Sequence, residues 1–163
     1  MPRKVFYSFH YSSDNWRVSQ VRNIGAIEDN KPASDNDWET IKKGGSAAIE
    51  RWIDNQLIGR SCTVVLIGKN TADRHWVNYE IIKSWNQKKG LLGIYIHNLK
   101  DRDQRSTIKG KNPFDSLQFT ESRKKLSTVI PTYDPPYTDS KAVYAYIKAN
   151  IEKWIEDAIN LRK

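Results

Sequence analysis

The stretch "HWVNYE" at residues 75–80 sets one carboxylate, Glu80, four residues after an indole, Trp76, and so on the same face of a helix that begins near His75. A lone carboxylate beside an apolar ring suits one kind of chemistry: it steadies a positive charge that develops on a substrate, as in an oxocarbenium-like state. The plain alternative is a solvated glutamate at the rim of an amphipathic helix, because glutamate is seldom buried without a partner. His10, His75 and His97 are too few and too scattered for a zinc site, so no metal is expected. His10 and His75 can converge at strand ends, where a histidine more often forms a hydrogen-bonding wall than a ligand. The single cysteine, Cys62, lies inside "SCTVVLIG" and reads as a buried structural thiol rather than a nucleophile.

Other chemistries fail on residue types. No G-x-G-x-x-G follows a strand, and "IGKNTADR" lacks the second glycine and the Gly-Lys-Ser/Thr ending of a phosphate-binding loop. No serine sits in a nucleophile elbow. A phosphate-accepting domain of alternating strands and helices needs acids after the first strand and an aspartate ending the central one. Those places read Ser8-Phe9-His10 and Ile67-Gly68-Lys69. What remains is one carboxylate, aromatic rings and hydroxyls. That set is enough to break the bond between ribose and nicotinamide in NAD+, because nicotinamide departs neutral from a cationic ring and needs no general acid. In that reaction NAD+ would be the substrate, and no cofactor is expected.

The elements that must position Glu80 can be read in order. "KVFYSFH" at 4–10 is a first strand, and Ser13 or Asp14 caps a helix with Trp16, Val18, Val21 and Ile24 at helical spacing. A polar loop over 25–45 carries Trp38. "SAAIERWIDNQL" is a helix closed by Gly59, and "SCTVVLIG" is a central strand covered on both faces. Asn70 or Thr71 caps the helix of Glu80, which ends near Lys88-Lys89-Gly90, and "LLGIYIH" at 91–97 is the next strand. An irregular basic insertion follows around 98–126, with one turn at "NPFDSL". "LSTVIPTY" supplies an edge strand ended by Pro131, and a long helix spans about 139–161. Alternating strands and helices predict an α/β domain, a central parallel sheet with helices on both faces. Ligands in such sheets lie beyond the carboxyl ends of the strands, which selects Ser8–Asp14, the loop 25–45 flanking the same edge, and residues 68–80.

At 163 residues the chain is expected to form a single domain, 1–163. No run is long and apolar enough for a membrane span, and "MPRKVFYSFH" lacks a signal peptide's apolar centre, so the expected location is cytoplasmic, with no membrane partner. Half of the net charge of +8 comes from residues 100–125, which hold eight Lys/Arg against four Asp/Glu. Interspersed acids and the lack of any nucleic-acid motif argue against a nucleic-acid partner.

"KVFYSFHYSSDNWRVSQVRN", "NDWETIKK", "TVVLIGKNTADRHWVNYEIIKS", "LLGIYIHNLKD" and "GKNPFD" together resemble, in order and spacing, the TIR-like domain of the Thoeris antiphage defence family of bacteria. The resemblance covers roughly residues 3–120. It implies a flavodoxin-like TIR fold and cleavage of NAD+ to nicotinamide and a cyclic ADP-ribose signal, linear and conjugated products being the alternatives. The family's glutamate, in Trp-Val-x-Tyr-Glu, falls on Glu80, which becomes the catalytic candidate. Ser8, Phe9 and His10 match the loop that walls the nicotinamide, and Trp38 matches the aromatic of the second loop. Trp76 joins the candidate substrate contacts, packing that orients the helix being its other reading. Asn112-Pro113-Phe114 matches a family motif whose role is either fold maintenance or substrate contact. The implied partners are NAD+, a Thoeris effector reached through a diffusible nucleotide signal, a phage protein as trigger, and a second copy of the chain. The alternative to an enzyme is a TIR-like module that binds a protein partner through its basic 100–125 face.

Overall fold

Runs of β-branched and aromatic residues give the short strands, and apolar stripes at helical spacing give the helices. The computed structural model describes residues 3–24 and 43–163. The order is β1 (Val5–Ser8), α1 (Tyr11–Arg22), α2 (Gly45–Leu57), β2 (Cys62–Ile67), α3 (His75–Asn86), β3 (Gly90–Tyr95), β4 (Thr132–Tyr133) and α4 (Ser140–Asn160). Among the described residues the sheet has four parallel strands in the order β1-β2-β3-β4, with Ser8 opposite Val65, Ile67 opposite Tyr95 and Ile94 opposite Tyr133.

The period of two along each strand divides the core. Val5 and Tyr7, Cys62, Val64 and Leu66, and Leu92, Ile94 and Ile96 face one side, where α1 and α4 cover them with Val18, Val21, Ile147, Ile151 and Trp154. On the other side Phe6 meets Ile49, Ile53 and Leu57 of α2. Val65, Ile67, Leu91 and Tyr95 meet Val77 and Ile81 of α3, together with Phe114, Leu126 and Ile130. All six residues of β2 are buried, as a strand with neighbours on both edges and helices on both faces requires. Cys62 is a free, fully buried thiol whose pKa burial raises.

Local boundaries differ from the sequence reading, each for a physical reason. β1 stops at Ser8, and α1 starts at Tyr11 with His10 as its N-cap, making no side-chain cap bond. Asp14 is therefore no cap: it lies inside the helix, buried, and is paired with Arg17 one turn on. Arg74, not Asn70 or Thr71, precedes α3, because the Thr71 hydroxyl instead accepts from the Gly68 N–H at 2.8 Å and closes the turn after β2. α3 ends at Asn86, before Lys88 at φ 60°. β4 follows Pro131 rather than ending at it, and the Pro131 carbonyl accepts from the Gly93 N–H at 3.0 Å. Within 98–126 a 3-10 turn at Pro113–Ser116 is fixed by Asn112 Oδ1, which accepts from the Phe114 N–H at 2.9 Å. That contact gives Asn112-Pro113-Phe114 a structural role, with Phe114 fully buried. Trp38 and most of the loop at 25–45 lie outside the described residues.

Candidate active site

Glu80 sits in the second turn of α3, on a stripe of Val77, Glu80, Ile81 and Ser84 that is buried against the sheet. Three contacts hold that stripe in rotation. Ser84 Oγ shares a 2.7 Å hydrogen bond with Thr63 Oγ1 of β2, and the Tyr79 hydroxyl donates to Asp54 Oδ1 of α2 at 2.9 Å. Val77 and Ile81 are seated among Val65, Ile67 and Leu91. A helix pinned to a strand on one side and to α2 on the other leaves the Glu80 carboxyl no route to solvent by rolling.

Glu80 is 8% exposed, and its Oε2 is buried with no hydrogen-bond partner among the described residues. Burial pushes its pKa up to about 8, and the Ser8 hydroxyl is the neighbour that pulls it back. Ser8 ends β1 and is fully buried, and its own Oγ lacks a partner of good geometry among the described residues. The hydroxyl is near enough to act on the carboxyl, yet no well-formed hydrogen bond joins them. Two adjacent buried polar groups left incompletely bonded are costly for a fold, and such pairs are found where a ligand completes them.

The other candidates from the sequence are dispersed. Phe9 packs on the opposite side of the sheet, against the core that α1 and α4 cover, with the Arg22 guanidinium 6.0 Å from its ring centre. His10 Nδ1 shares a 2.8 Å hydrogen bond with Ser13 Oγ at the start of α1. Trp76 is half-buried with Phe6, Ile49 and Ile53, edge-on to Tyr79 at 5.7 Å, so it braces α3 against α2. His75 is exposed and stacks edge-on to Trp76 at 4.6 Å, while His97 lies past the end of β3, 8% exposed. Among the described residues no cluster of His, Cys, Asp or Glu has the arrangement of a metal site.

Sequence reasoning missed a buried ion pair beside this edge. Arg17 Nη1 donates to Asp14 Oδ1 at 3.1 Å, Arg17 Nε donates to the Leu99 carbonyl at 2.8 Å, and Nη2 donates to the Arg105 carbonyl at 2.9 Å. Burial raises the Asp14 pKa, with Arg17 opposing it. Gly68 faces the same carboxylate so closely that a Cβ there would lie 2.1 Å from Asp14 Oδ2. The signal in the sequence was an acid and a base at i and i+3 on the helix face that also carries Val18 and Val21.

Comparison with known proteins follows the same outline. The family described as Thoeris protein ThsB, TIR-like domain, matches residues 6–101, a span that runs from β1 past the end of β3 and includes Ser8 and Glu80. A protein of Bacillus cereus (strain MSX-D12) named "Putative cyclic ADP-D-ribose synthase ThsB1" is 39% identical over 133 residues, covering 77% of this chain and 69% of its own length.

Proposed function

Because the chain belongs to the family of the Thoeris protein ThsB, TIR-like domain, we propose that it is an antiphage enzyme that cleaves NAD+ at the nicotinamide–ribose bond. Its products are nicotinamide and a cyclic ADP-ribose signal that activates a partner effector. The observation that carries this reading is Glu80, buried beside Ser8 at the carboxyl edge of a parallel sheet with an oxygen that has no partner among the described residues. The name of the relative at 39% identity supports the product class.

The chemistry asks little else of the protein. The bond between ribose C1′ and the pyridinium nitrogen breaks, its electron pair goes to that nitrogen, and neutral nicotinamide leaves. The ribose carbon is left electron-poor, and the buried Glu80 carboxylate stabilises that charge more strongly than it would in solvent. A nucleophilic atom of the same molecule's adenosine half then attacks C1′ to close the ring, or water attacks to give the linear product, an attacking hydroxyl or water giving up its proton to solvent. In the empty protein the raised pKa keeps Glu80 largely protonated at neutral pH. The positive nicotinamide ring favours the ionised form, so substrate arrival and proton loss are coupled. Ser8 is placed to orient the carboxyl, and Trp76 to hold α3 at its angle.

A non-enzymatic module binding through the basic segment would have no use for a buried carboxylate whose oxygen lacks a partner. Purified protein, alone and with extract of infected cells, is incubated with NAD+, and nicotinamide and the ribosyl product are identified by mass. Wild type releases nicotinamide, and a folded Glu80→Gln variant does not. Release undiminished in that variant would remove Glu80 from the mechanism. Effector activation, a phage trigger and self-association complete the proposal at the level of partners.

A further inference from the structure

Where β2 ends, a polar cleft of about 360 Å³ is lined by Lys69, Asn70, Ala72, Asp73, Arg74 and Lys111. Three cations face one carboxylate there, which selects for anions. Lys69 and Lys111 are exposed, and among the described residues neither has a carboxylate within ion-pair range. Arg74 is anchored by Nε, which donates to the Asn70 carbonyl at 3.0 Å, and this leaves the far side of its guanidinium for a ligand. Arg74 also gives α3 no side-chain cap, so the first-turn N–H groups of that helix remain available at the same corner.

Lys111 reaches the cleft from a distant part of the chain, and glycine makes that possible. A Cβ on Gly110 would lie 2.1 Å from the Gly68 carbonyl oxygen and 2.9 Å from that of Lys69. The basic segment is therefore packed down on the turn after β2 at a contact that only glycine allows. The cleft is also joined to the Glu80 site. Asn70 Nδ2 donates to Ser13 Oγ at 3.4 Å, and Ser13 Oγ shares the hydrogen bond with His10 Nδ1, two residues beyond Ser8. Glu80 stands six residues along α3 from Arg74, about 9 Å at 1.5 Å per residue. That is a separation one dinucleotide spans between its nicotinamide-bearing ribose and its diphosphate.

We propose that this cleft binds the diphosphate of the dinucleotide, and that the basic segment serves the site by delivering Lys111 to it. The inference rests on the reading of Glu80 as the centre that cleaves NAD+. It adds Lys69, Arg74 and Lys111 as the residues that hold the substrate's negative charge while Glu80 acts on its positive end.

The test uses ADP-ribose, which carries the diphosphate but no bond for Glu80 to cleave, in calorimetric titrations of the full chain. Lys69→Gln and Lys111→Gln are each expected to weaken ADP-ribose binding about tenfold, the loss of one hydrogen bond to a charged group. The double variant weakens it further. Lys124→Gln, in the same segment but outside the cleft, binds as wild type. Nicotinamide riboside, which lacks the diphosphate, is bound equally by all of them. Unchanged ADP-ribose binding in the double variant overturns the inference, as does an equal loss in Lys124→Gln or no measurable binding to wild type. The two readings also fail separately. If ADP-ribose binding depends on Lys69 and Lys111 while no nicotinamide is ever released, the cleft stands and cleavage falls. If release depends on Glu80 while the KM for NAD+ ignores both lysines, the cleft falls and cleavage stands.

Discussion

The hydroxyl of Ser8, the last residue of β1, lies against the carboxyl of Glu80 in the second turn of α3, and neither Ser8 Oγ nor Glu80 Oε2 has a well-formed hydrogen bond among the described residues. A strand end and a helix from the other side of a crossover thus meet at two unsatisfied polar groups. Their properties follow from burial, and burial makes them measurable.

The first consequence is a pH profile. A carboxylate that must be ionised to act, with a pKa raised to about 8, makes kcat/KM climb as pH rises through about 8 and level off above it. The kcat profile reports the bound state, where the nicotinamide charge favours ionisation, so its midpoint falls lower. Initial rates of nicotinamide release across the pH range check both. A kcat/KM profile centred near the ordinary value of 4.5 would show that burial does not govern Glu80.

Ser8→Ala separates orientation from mere packing. The hydroxyl lowers the Glu80 pKa, so its removal moves the kcat/KM midpoint upward. Activity at neutral pH falls by up to about tenfold for each unit of that movement. A structural role alone would lower activity equally at every pH, and only the charge role shifts the midpoint. Ser8→Thr, which keeps the hydroxyl, should return the midpoint toward wild type.

Glu80 also lowers stability in a definite pH window. Its unfolded carboxyl ionises near 4.5, while its folded one holds the proton to about 8. Between these values the unfolded state binds fewer protons than the native one, so stability falls as pH rises, and the loss is complete above the folded pKa. Glu80→Gln removes that dependence. Its advantage in unfolding free energy, read from denaturant titrations at each pH, should be smallest near pH 4.5, grow through neutrality, and level off above pH 8 at roughly 3–5 kcal/mol, one pKa unit being about 1.4 kcal/mol. An advantage constant with pH would deny that the buried carboxyl is its source.

The sheet and the long helix were legible because each is written in a single local period. "SCTVVLIG" offers an unbroken apolar run, and β2 lies buried on both faces between β1 and β3. The stripe through Val143, Ile147, Ile151, Trp154 and Ile155 places α4 over one face of the sheet. Glu80 could be placed near the carboxyl ends of the strands because its helix follows the central strand. What was illegible depends on contacts between distant residues. Nothing local says that the Thr71 hydroxyl is spent on Gly68 rather than on capping α3. Nor does it show that Gly110 lets Lys111 settle beside Lys69, about forty residues earlier in the chain. Asp14 reads as a cap in the sequence, and only the arrival of residues 99–105 over α1 makes it part of a buried pair with Arg17.

That pair yields the last prediction. The side chains of Arg17 and Asp14 are 5% and 1% exposed, and the guanidinium serves Asp14, the Leu99 and Arg105 carbonyls and, at 3.5 Å, Asp101. Arg17→Met strands a buried carboxylate and releases the Ser13, Leu99 and Arg105 carbonyls, so it should cost about 3–5 kcal/mol. Arg17→Lys should recover little, because a point charge cannot reach three directions as the planar fork does. Asp14→Asn removes the charge that Arg17→Met would strand, so the double variant should be less destabilised than the sum of the two singles. Denaturant midpoints of the four proteins give the coupling. Amide exchange should quicken at residues 99–105 in Arg17→Met, because Arg17 bonds the Leu99 and Arg105 carbonyls to α1, and its loss leaves only the Gln20 bond to the Lys100 carbonyl among the described side-chain ties to that helix. Simple additivity, or exchange unchanged over that stretch, would reduce the pair to packing without a role in fastening the basic segment to the fold.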